Sequence, residues 1–238
     1  MISFFKNKLL ISVVFFLVLG IDIFIKLGDN PLPLRFFTKT LIIIILFLYF
    51  FYNKNENNSN NKYLVFGLVF FWLGDMLLLL YETQILYIGG MLAFIVAKLF
   101  YTKRFSHQND FKIASLAPFF VIIFTYIVVV ILFVYDNLGD FFIPTITYLF
   151  ATMLMALFAF LRKDAADKTS FYLVMIGILF GIFSDTIGVL QSFYNQDIAY
   201  HEITIMSFYA LFQYFIILGL TSEKLQLEDA EDDKFIKL

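Results

Sequence analysis

The sequence predicts an all-α protein that crosses a membrane several times, and three features of its composition support this prediction. Hydrophobic residues fill 61% of the 238 positions, whereas soluble domains hold roughly 45–50%. Charged residues are 15% of the chain, against about 25% in soluble domains. Phenylalanine alone occurs 34 times. A soluble fold could not bury this much apolar surface, so water-soluble enzymes and nucleic-acid-binding proteins are excluded.

Eight apolar stretches are long enough for helices that cross a bilayer core of about 30 Å, which takes about 20 residues each. They are residues 8–27, 34–52, 63–81, 85–101, 115–135, 141–161, 171–194 and 201–220. The first stretch lacks a small-residue cleavage site and is predicted to be a retained helix. The third and fourth form a tight helical hairpin. We therefore predict one eight-helix transmembrane domain over residues 1–220, followed by an acidic, disordered cytoplasmic tail over residues 221–238.

The loop charges predict the orientation of these helices. With the N-terminus inside, 13 of the 17 Lys and Arg residues lie in cytoplasmic segments, as the positive-inside rule requires. The outer segments hold only Lys26 and Arg35, and Lys39 and Lys98 lie within spans. We predict an integral protein of a bacterial inner membrane with both termini in the cytoplasm.

Two segments 110 residues apart resemble each other. Gly67 to Asp75 aligns with Gly177 to Asp185, and each segment places a small residue directly before an aspartate. The helices that follow also match weakly, residues 91–98 with 206–213. This similarity predicts a parallel repeat of four helices in each half; a chance match between apolar helices is the alternative.

Ionisable residues within the spans are the candidates for function, because each costs at least ~2.5–3.5 kcal/mol to insert. At about 1.5 Å per residue, Asp75 and Asp185 lie roughly 9–13 Å from the outer ends of their helices and Lys98 about 20 Å. We predict that Asp75, Asp185, Lys39 and Tyr209 share a pocket in the outer half of the bilayer. Tyr148 lies in the same layer, and Asp22 is interpreted as interfacial.

Roles are predicted for these residues from their types and positions. Asp75 and Asp185 are the predicted acid–base pair, and the residues predicted to bind substrate or tune the carboxyls are Lys39, Tyr209, Tyr148 and Ser184. Ser184 is also interpreted as a close-packing residue. Lys98 is expected to point to the cytoplasmic interface or to bond Gln213, away from the aspartates.

Two chemistries fit a pair of membrane carboxyls. They should not share one pKa, because burial and neighbouring charges act on them differently, and one acid with one base allows hydrolysis by water. Proton-coupled transport of a small amphiphile uses the same residue types. The chain has no cysteine and two histidines, so Cys nucleophiles are excluded. We predict no metal and no cofactor.

Five short segments, in order, resemble the motifs of the YhhN-like family, the lysoplasmalogenases. They are Thr38-Lys39-Thr40-Leu41, Gly74-Asp75, Gly90-x-x-x-Phe94-x-x-x-Lys98-x-x-Tyr101, Ser184-Asp185 and Tyr209-x-x-x-Gln213. The resemblance covers residues 34–220 and implies an eight-span membrane hydrolase. Its reaction would cleave the vinyl ether bond of a lysoplasmalogen, giving a fatty aldehyde and a glycerophospho-alcohol.

The sequence departs from the family pattern at two positions. Lys98 stands where the family has histidine, and Thr40 stands where it has proline. A lysine does not titrate near neutral pH unless it is strongly desolvated. The chain could therefore be an active hydrolase, one with an altered lipid substrate, or a non-catalytic relative. Its expected partners are a lipid substrate and the bilayer lipids.

Overall fold

The computed structural model describes residues 5–28, 32–54, 58, 60–80, 83–106, 113–195, 198 and 200–223, with the backbone alone for 113–116. These residues are 91% helical and contain no strand. The long helices are α1 Lys8–Leu27, α2 Leu32–Asn53, α3 Asn61–Leu79, α4 Gln84–Phe105, α5 Ile113–Leu138, α6 Phe142–Leu161, α7 Lys168–Phe193 and α8 His201–Thr221. The all-helical prediction is confirmed.

Local sequence signals set several helix ends. The Asn7 side chain accepts hydrogen bonds from the first turn of α1, Thr83 does so for α4 and Asp167 for α7. Each satisfies a backbone N–H that has no partner within the helix. Gly139 begins the 3-10 turn between α5 and α6 with a φ of 45°, a left-handed conformation that suits glycine.

Among the described residues, seven continuous helical segments are long and apolar enough to cross a membrane, which is compatible with a membrane protein. One of them, residues 117–164, is 48 residues long and includes α5, the 3-10 turn and α6. Its two arms fold back on each other, since the Phe119 and Phe160 rings stack with centroids 5.5 Å apart. The predicted count of eight spans stays a prediction.

The outer surface of the bundle is apolar. Large hydrophobic side chains point outward along its length, and α5 carries several, including Phe124 at 71% exposed and Leu132 at 73%. Charged side chains lie inside instead, with Asp22, Lys98 and Arg162 all at 2% exposed or less. An apolar exterior around a charged interior is the arrangement expected of helices packed in lipid.

Two helix pairs pack closely at glycine. A Cβ on Gly67 of α3 would lie 2.5 Å from the Tyr101 ring and 3.3 Å from the Ala97 carbonyl of α4. A Cβ on Gly177 of α7 would lie 3.1 Å from the Phe212 carbonyl of α8. Glycine at both positions allows the helix backbones to approach, as small residues do in membrane helix pairs.

A buried charge cluster joins α4, α6 and α8 at one end of the bundle, which we call the Glu223 end. Glu223 accepts from Arg104 at 2.5 Å and from Arg162 at 2.9 Å, and all three are at most 6% exposed. Both arginines lie between the predicted spans and Glu223 falls in the predicted tail, so none of the three was expected to be buried. Glu223 bridges the two guanidinium groups, so each buried arginine has a carboxylate partner. The acidic residues 228–233 lie outside the described residues.

Candidate active site

A cavity of about 720 Å³ lies at the end of the bundle opposite Glu223, which we call the cavity end. Every long helix except α5 contributes to its described lining. Its charged and polar lining residues include Lys26, Arg35, Lys39, Asp75, Lys98, Tyr148, Asp185, His201, Glu202 and Tyr209. The four residues predicted to share a pocket, Asp75, Asp185, Lys39 and Tyr209, therefore do line one cavity.

The first cluster forms around Asp75. Lys39 Nζ of α2 lies 2.8 Å from Asp75 Oδ1, and the Tyr209 hydroxyl of α8 donates to Oδ2 at 2.9 Å. The Asp75 side chain is 7% exposed and the Lys39 side chain 15%. Each carboxylate oxygen thus has one donor, and the lysine is the member more open to the cavity.

The second cluster forms around Asp185. Lys98 Nζ of α4 lies 2.6 Å from Asp185 Oδ2, and the Thr152 hydroxyl of α6 donates to the same oxygen at 2.7 Å. The Tyr148 hydroxyl donates to Oδ1. Lys98 Nζ also lies 3.4 Å from the Tyr148 ring centroid, a cation–π contact. This carboxylate therefore has three donors, and its lysine is 2% exposed.

The prediction that Lys98 avoids the aspartates is wrong. Its side chain was predicted to point toward the cytoplasmic interface, but it points to Asp185. Helical side chains lean toward the N-terminus of their own helix. Because α4 begins at the cavity end and α7 ends there, the stem of Lys98 leans toward the cavity while Asp185 leans away from it. Lys98 and Asp185 therefore meet although their Cα positions lie at different depths.

The model of the YhhN family matches residues 34–220 of the chain. The protein belongs to the YhhN family. No curated protein and no solved structure matches the chain.

The YhhN-like motifs named in the sequence converge in space. Their charged members and Tyr209 line the one cavity, although they come from five different helices: Lys39, Asp75, Lys98, Asp185 and Tyr209. Lys98, which the motif resemblance aligns with a family histidine, contacts a motif aspartate directly. This departure from the motif therefore lies within the candidate site.

Two predicted residues make structural contacts instead. Ser184 lines the cavity, but its hydroxyl donates to the Ile205 carbonyl of α8 at 3.1 Å. Gln213 accepts from the Tyr101 hydroxyl at 2.7 Å. The predicted bond between Gln213 and Lys98 is wrong, because Lys98 is directed to Asp185 and Thr152.

Asp22 of α1 is a further charged residue beside the site. It was predicted to be interfacial, but it is 0% exposed, and Thr38 donates to its Oδ1 at 2.5 Å. Asp22 lies outside the part of the chain that the YhhN model matches. The sequence signal that pointed to the burial of Asp22 was Thr38. It directly precedes Lys39, so a helix places the two side chains on different faces.

The donor sets suit acid–base chemistry better than metal binding. Among the described residues, no three His, Asp or Glu side chains come together as a metal site requires. Asp75 and Asp185 are instead each paired with a lysine. The cavity therefore combines two ion pairs of zero net charge with tyrosine hydroxyls, and it can hold a polar reacting group between apolar walls.

Proposed function

We propose that this YhhN protein is a membrane-embedded hydrolase that cleaves the vinyl ether bond of a lysophospholipid. The observation that carries the proposal is the convergence of Asp75 and Asp185, each with a lysine and a tyrosine, on one cavity of about 720 Å³. That volume falls in the range of roughly 300–1,000 Å³ typical of small-molecule sites.

The cavity lining suits an amphiphilic substrate with one chain. Phe71, Leu78 and Met91 are among its apolar residues, which would contact the alkyl chain. Lys26 and Arg35 lie where α1 ends and α2 begins, at the cavity end. Two cations there suit the phosphate of a lysophospholipid head group.

The reaction would begin with transfer of a proton to the vinyl carbon farther from the ether oxygen. This gives an oxocarbenium ion, which water attacks at the carbon bonded to oxygen. The attacking water loses one proton, and the resulting hemiacetal separates into a fatty aldehyde and a glycerophospho-alcohol. One proton is consumed and one released, so the cycle needs no other reactant.

We assign different roles to the two aspartates. The Lys39–Asp75 pair would deliver and recover the proton, because Asp75 has the fewer donors and its lysine is open to the cavity. Asp185 accepts hydrogen bonds from three donors and is 10% exposed. It would stabilise the oxocarbenium ion by its charge.

Lys98 is expected to support the reaction without carrying the proton. Its ammonium group is bound to Asp185 and Thr152, so it holds the carboxylate in place. In this proposal Lys98 takes over the role of the family histidine. Histidine is shorter than lysine, so we expect Lys98→His to reach Asp185 less well and to lower activity.

The test is mass spectrometry of lysoplasmalogen incubated with the purified protein. Release of fatty aldehyde by the wild type, and its loss in Asp75→Asn, would support the hydrolase. Asp136→Asn, on the exposed face of α5, is the matched control and should keep activity. Uptake of unchanged lipid into proteoliposomes without aldehyde would indicate a carrier instead. If the protein neither releases aldehyde nor takes up lipid, it is a non-catalytic relative.

We also propose that the chain contains the predicted four-helix repeat and has the predicted orientation in the membrane. Gly67 and Gly177, 110 positions apart, pack against the carbonyls of Ala97 and Phe212, and Gly74 lies near the Gly90 carbonyl. Ser184 bonds the carbonyl of Ile205. These contacts follow the alignment of the two halves and support four helices in each half, eight spans in all. Both termini would be cytoplasmic, in a bacterial inner membrane.

A further inference from the structure

The proposed hydrolysis needs a proton, yet each aspartate in the large cavity is already paired with a lysine. A carboxylate bound to an ammonium group is a poor proton donor, because the ion pair favours its ionised form. The proton therefore needs another source close to the Lys39–Asp75 pair. We propose that Asp22 holds that proton and supplies it to Asp75 through one water molecule, an inference that rests on the proposed function.

Asp22 differs from the two aspartates in its partners. It is 0% exposed, and its Oδ1 accepts from the neutral hydroxyl of Thr38. Its Oδ2 has no hydrogen-bond partner among the described residues. A buried carboxylate without a cation or a second donor is costly, whereas a protonated carboxyl removes the charge. Its complete burial, its single neutral donor and its unpartnered oxygen are the observations that carry the proposal.

A second, small cavity lies directly against Asp22. Its volume is about 20 Å³, enough for one water, which needs roughly 10–15 Å³. It is also lined by Lys39, Asp75, Tyr209 and Gln213. The Gln213 Nε2 atom, also buried, makes no hydrogen bond of standard geometry. A donor at Gln213 and an oxygen at Asp22 provide two of the 2–4 polar partners that a buried water takes.

The first cluster separates the two cavities. Lys39, Asp75 and Tyr209 line both the large and the small cavity, whereas Asp22 lines only the small one among the residues described. A proton on Asp22 can therefore reach Asp75 from the side away from the substrate. The substrate side can then stay dry except for the attacking water.

The charges that face Asp22 fit one stored proton. Lys26 lies one turn along α1 and its charge interacts with Asp22, while Lys39 of α2 and Asp75 of α3 line the same small cavity. Tyr209 of α8 contributes a neutral hydroxyl. Because Lys39 is committed to Asp75 at 2.8 Å, Asp22 and Asp75 with one proton and Lys39 form a neutral group.

The transfer is balanced within the catalytic cycle. The Asp22 carboxyl gives its proton to the water in the small cavity, and that water gives one of its own to Asp75. Asp75 passes a proton to the vinyl carbon, which leaves Asp22 ionised. When the attacking water loses its proton, the same groups return it to Asp22.

Infrared spectroscopy of the purified, substrate-free protein with isotope-labelled aspartate tests the proton directly. We expect one carbonyl band from a protonated aspartate at neutral pH. The band should be lost in Asp22→Asn and kept in Asp75→Asn and Asp185→Asn. If Asp22→Asn fails to fold, Asp22→Glu keeps the carboxyl and should remove the isotope-shifted aspartate band, because the glutamate is unlabelled. A missing band, or one that survives Asp22→Asn, overturns the proposal.

Hydrolysis then tests the use of that proton. Asp22→Asn should lower turnover by about 10²-fold, the lower end of what positioned proton transfer contributes, and should change its solvent isotope effect. Thr38→Val, which removes the Asp22 hydrogen bond but keeps the carboxyl, should have a smaller effect. Wild-type turnover in Asp22→Asn overturns the relay. If the band follows Asp22 but no aldehyde forms from any lysoplasmalogen, the proton site stands and the proposed reaction fails.

Discussion

The two aspartate clusters each contain a lysine and a tyrosine but expose opposite charges to the cavity. Around Asp75 the lysine is the more exposed partner, 15% against 7%. Around Asp185 the carboxylate is more exposed, 10% against 2% for its lysine. The cavity therefore meets an ammonium group in one cluster and a carboxylate in the other. This difference explains how a nearly symmetric arrangement could perform an asymmetric reaction.

The clusters also differ in which half of the chain supplies each partner. Asp75 takes its lysine from α2, the preceding helix, and its tyrosine from α8. Asp185 takes its tyrosine from α6, the preceding helix, and its lysine from α4. Each aspartate is thus held by both halves of the chain. Neither cluster can form until the two halves have packed together.

The largest expected effect is on the rate. Asp75→Asn should lower vinyl ether hydrolysis by roughly 10²–10⁴-fold, because proton transfer from a positioned acid is worth that much. Asp185→Asn should lower it less, since it removes charge stabilisation but no proton. Aldehyde release by both variants at equal folded protein measures the difference. A larger loss in Asp185→Asn would reverse the roles assigned to the clusters.

The next effect is on stability. Lys98→Met would leave Asp185 buried beside neutral partners and should lower the free energy of unfolding by ~3–5 kcal/mol. Lys39→Met should cost less, because Lys39 is more exposed and its carboxylate can reach water in the cavity. Unfolding in detergent solution compares the two. Equal losses would show that the clusters are equally rigid.

A smaller loss of stability is expected when a single hydroxyl group is removed. Thr152 is 0% exposed and donates to Asp185, so Thr152→Val should cost about 1.5–3 kcal/mol, the value of a hydrogen bond to a charged group. Thr147→Val, on the exposed face of α6, is the control and should change stability little. The same unfolding assay applies. If the two variants are alike, the third donor to Asp185 does not stabilise the cluster.

The last prediction concerns the orientation of the protein in the membrane, not its rate or stability. Both clusters lie at the cavity end, and the loop charges predict that this end faces away from the cytoplasm. Since the chain has no cysteine, a single Cys at Asn195 should react with an impermeant reagent applied from outside. A Cys at Ser106, near the Glu223 end, should be protected. The opposite pattern would place the cavity on the cytoplasmic side.

The sequence by itself determined that the protein is helical and apolar, and it identified most of the site. Hydropathy located the long helices because each must satisfy its own backbone hydrogen bonds in lipid. The cost of burying charge singled out Lys39, Asp75, Lys98 and Asp185 before any contact was known. Depth along a helix follows from residue count, and the prediction that Asp75, Asp185 and Lys39 share a pocket agrees with the cavity that they line.

Only the tertiary structure decided which of these residues touch. Lys98 pairs with Asp185 because antiparallel helices direct their side chains toward each other, and Asp22 is buried because α2 covers it with Thr38. Arg104 and Arg162 count as loop charges in the sequence but are buried on Glu223. In each case the answer depends on the lateral neighbours and rotation of a helix. Residue spacing does not predict a helix's neighbours or its rotation, because packing between helices far apart in sequence sets both.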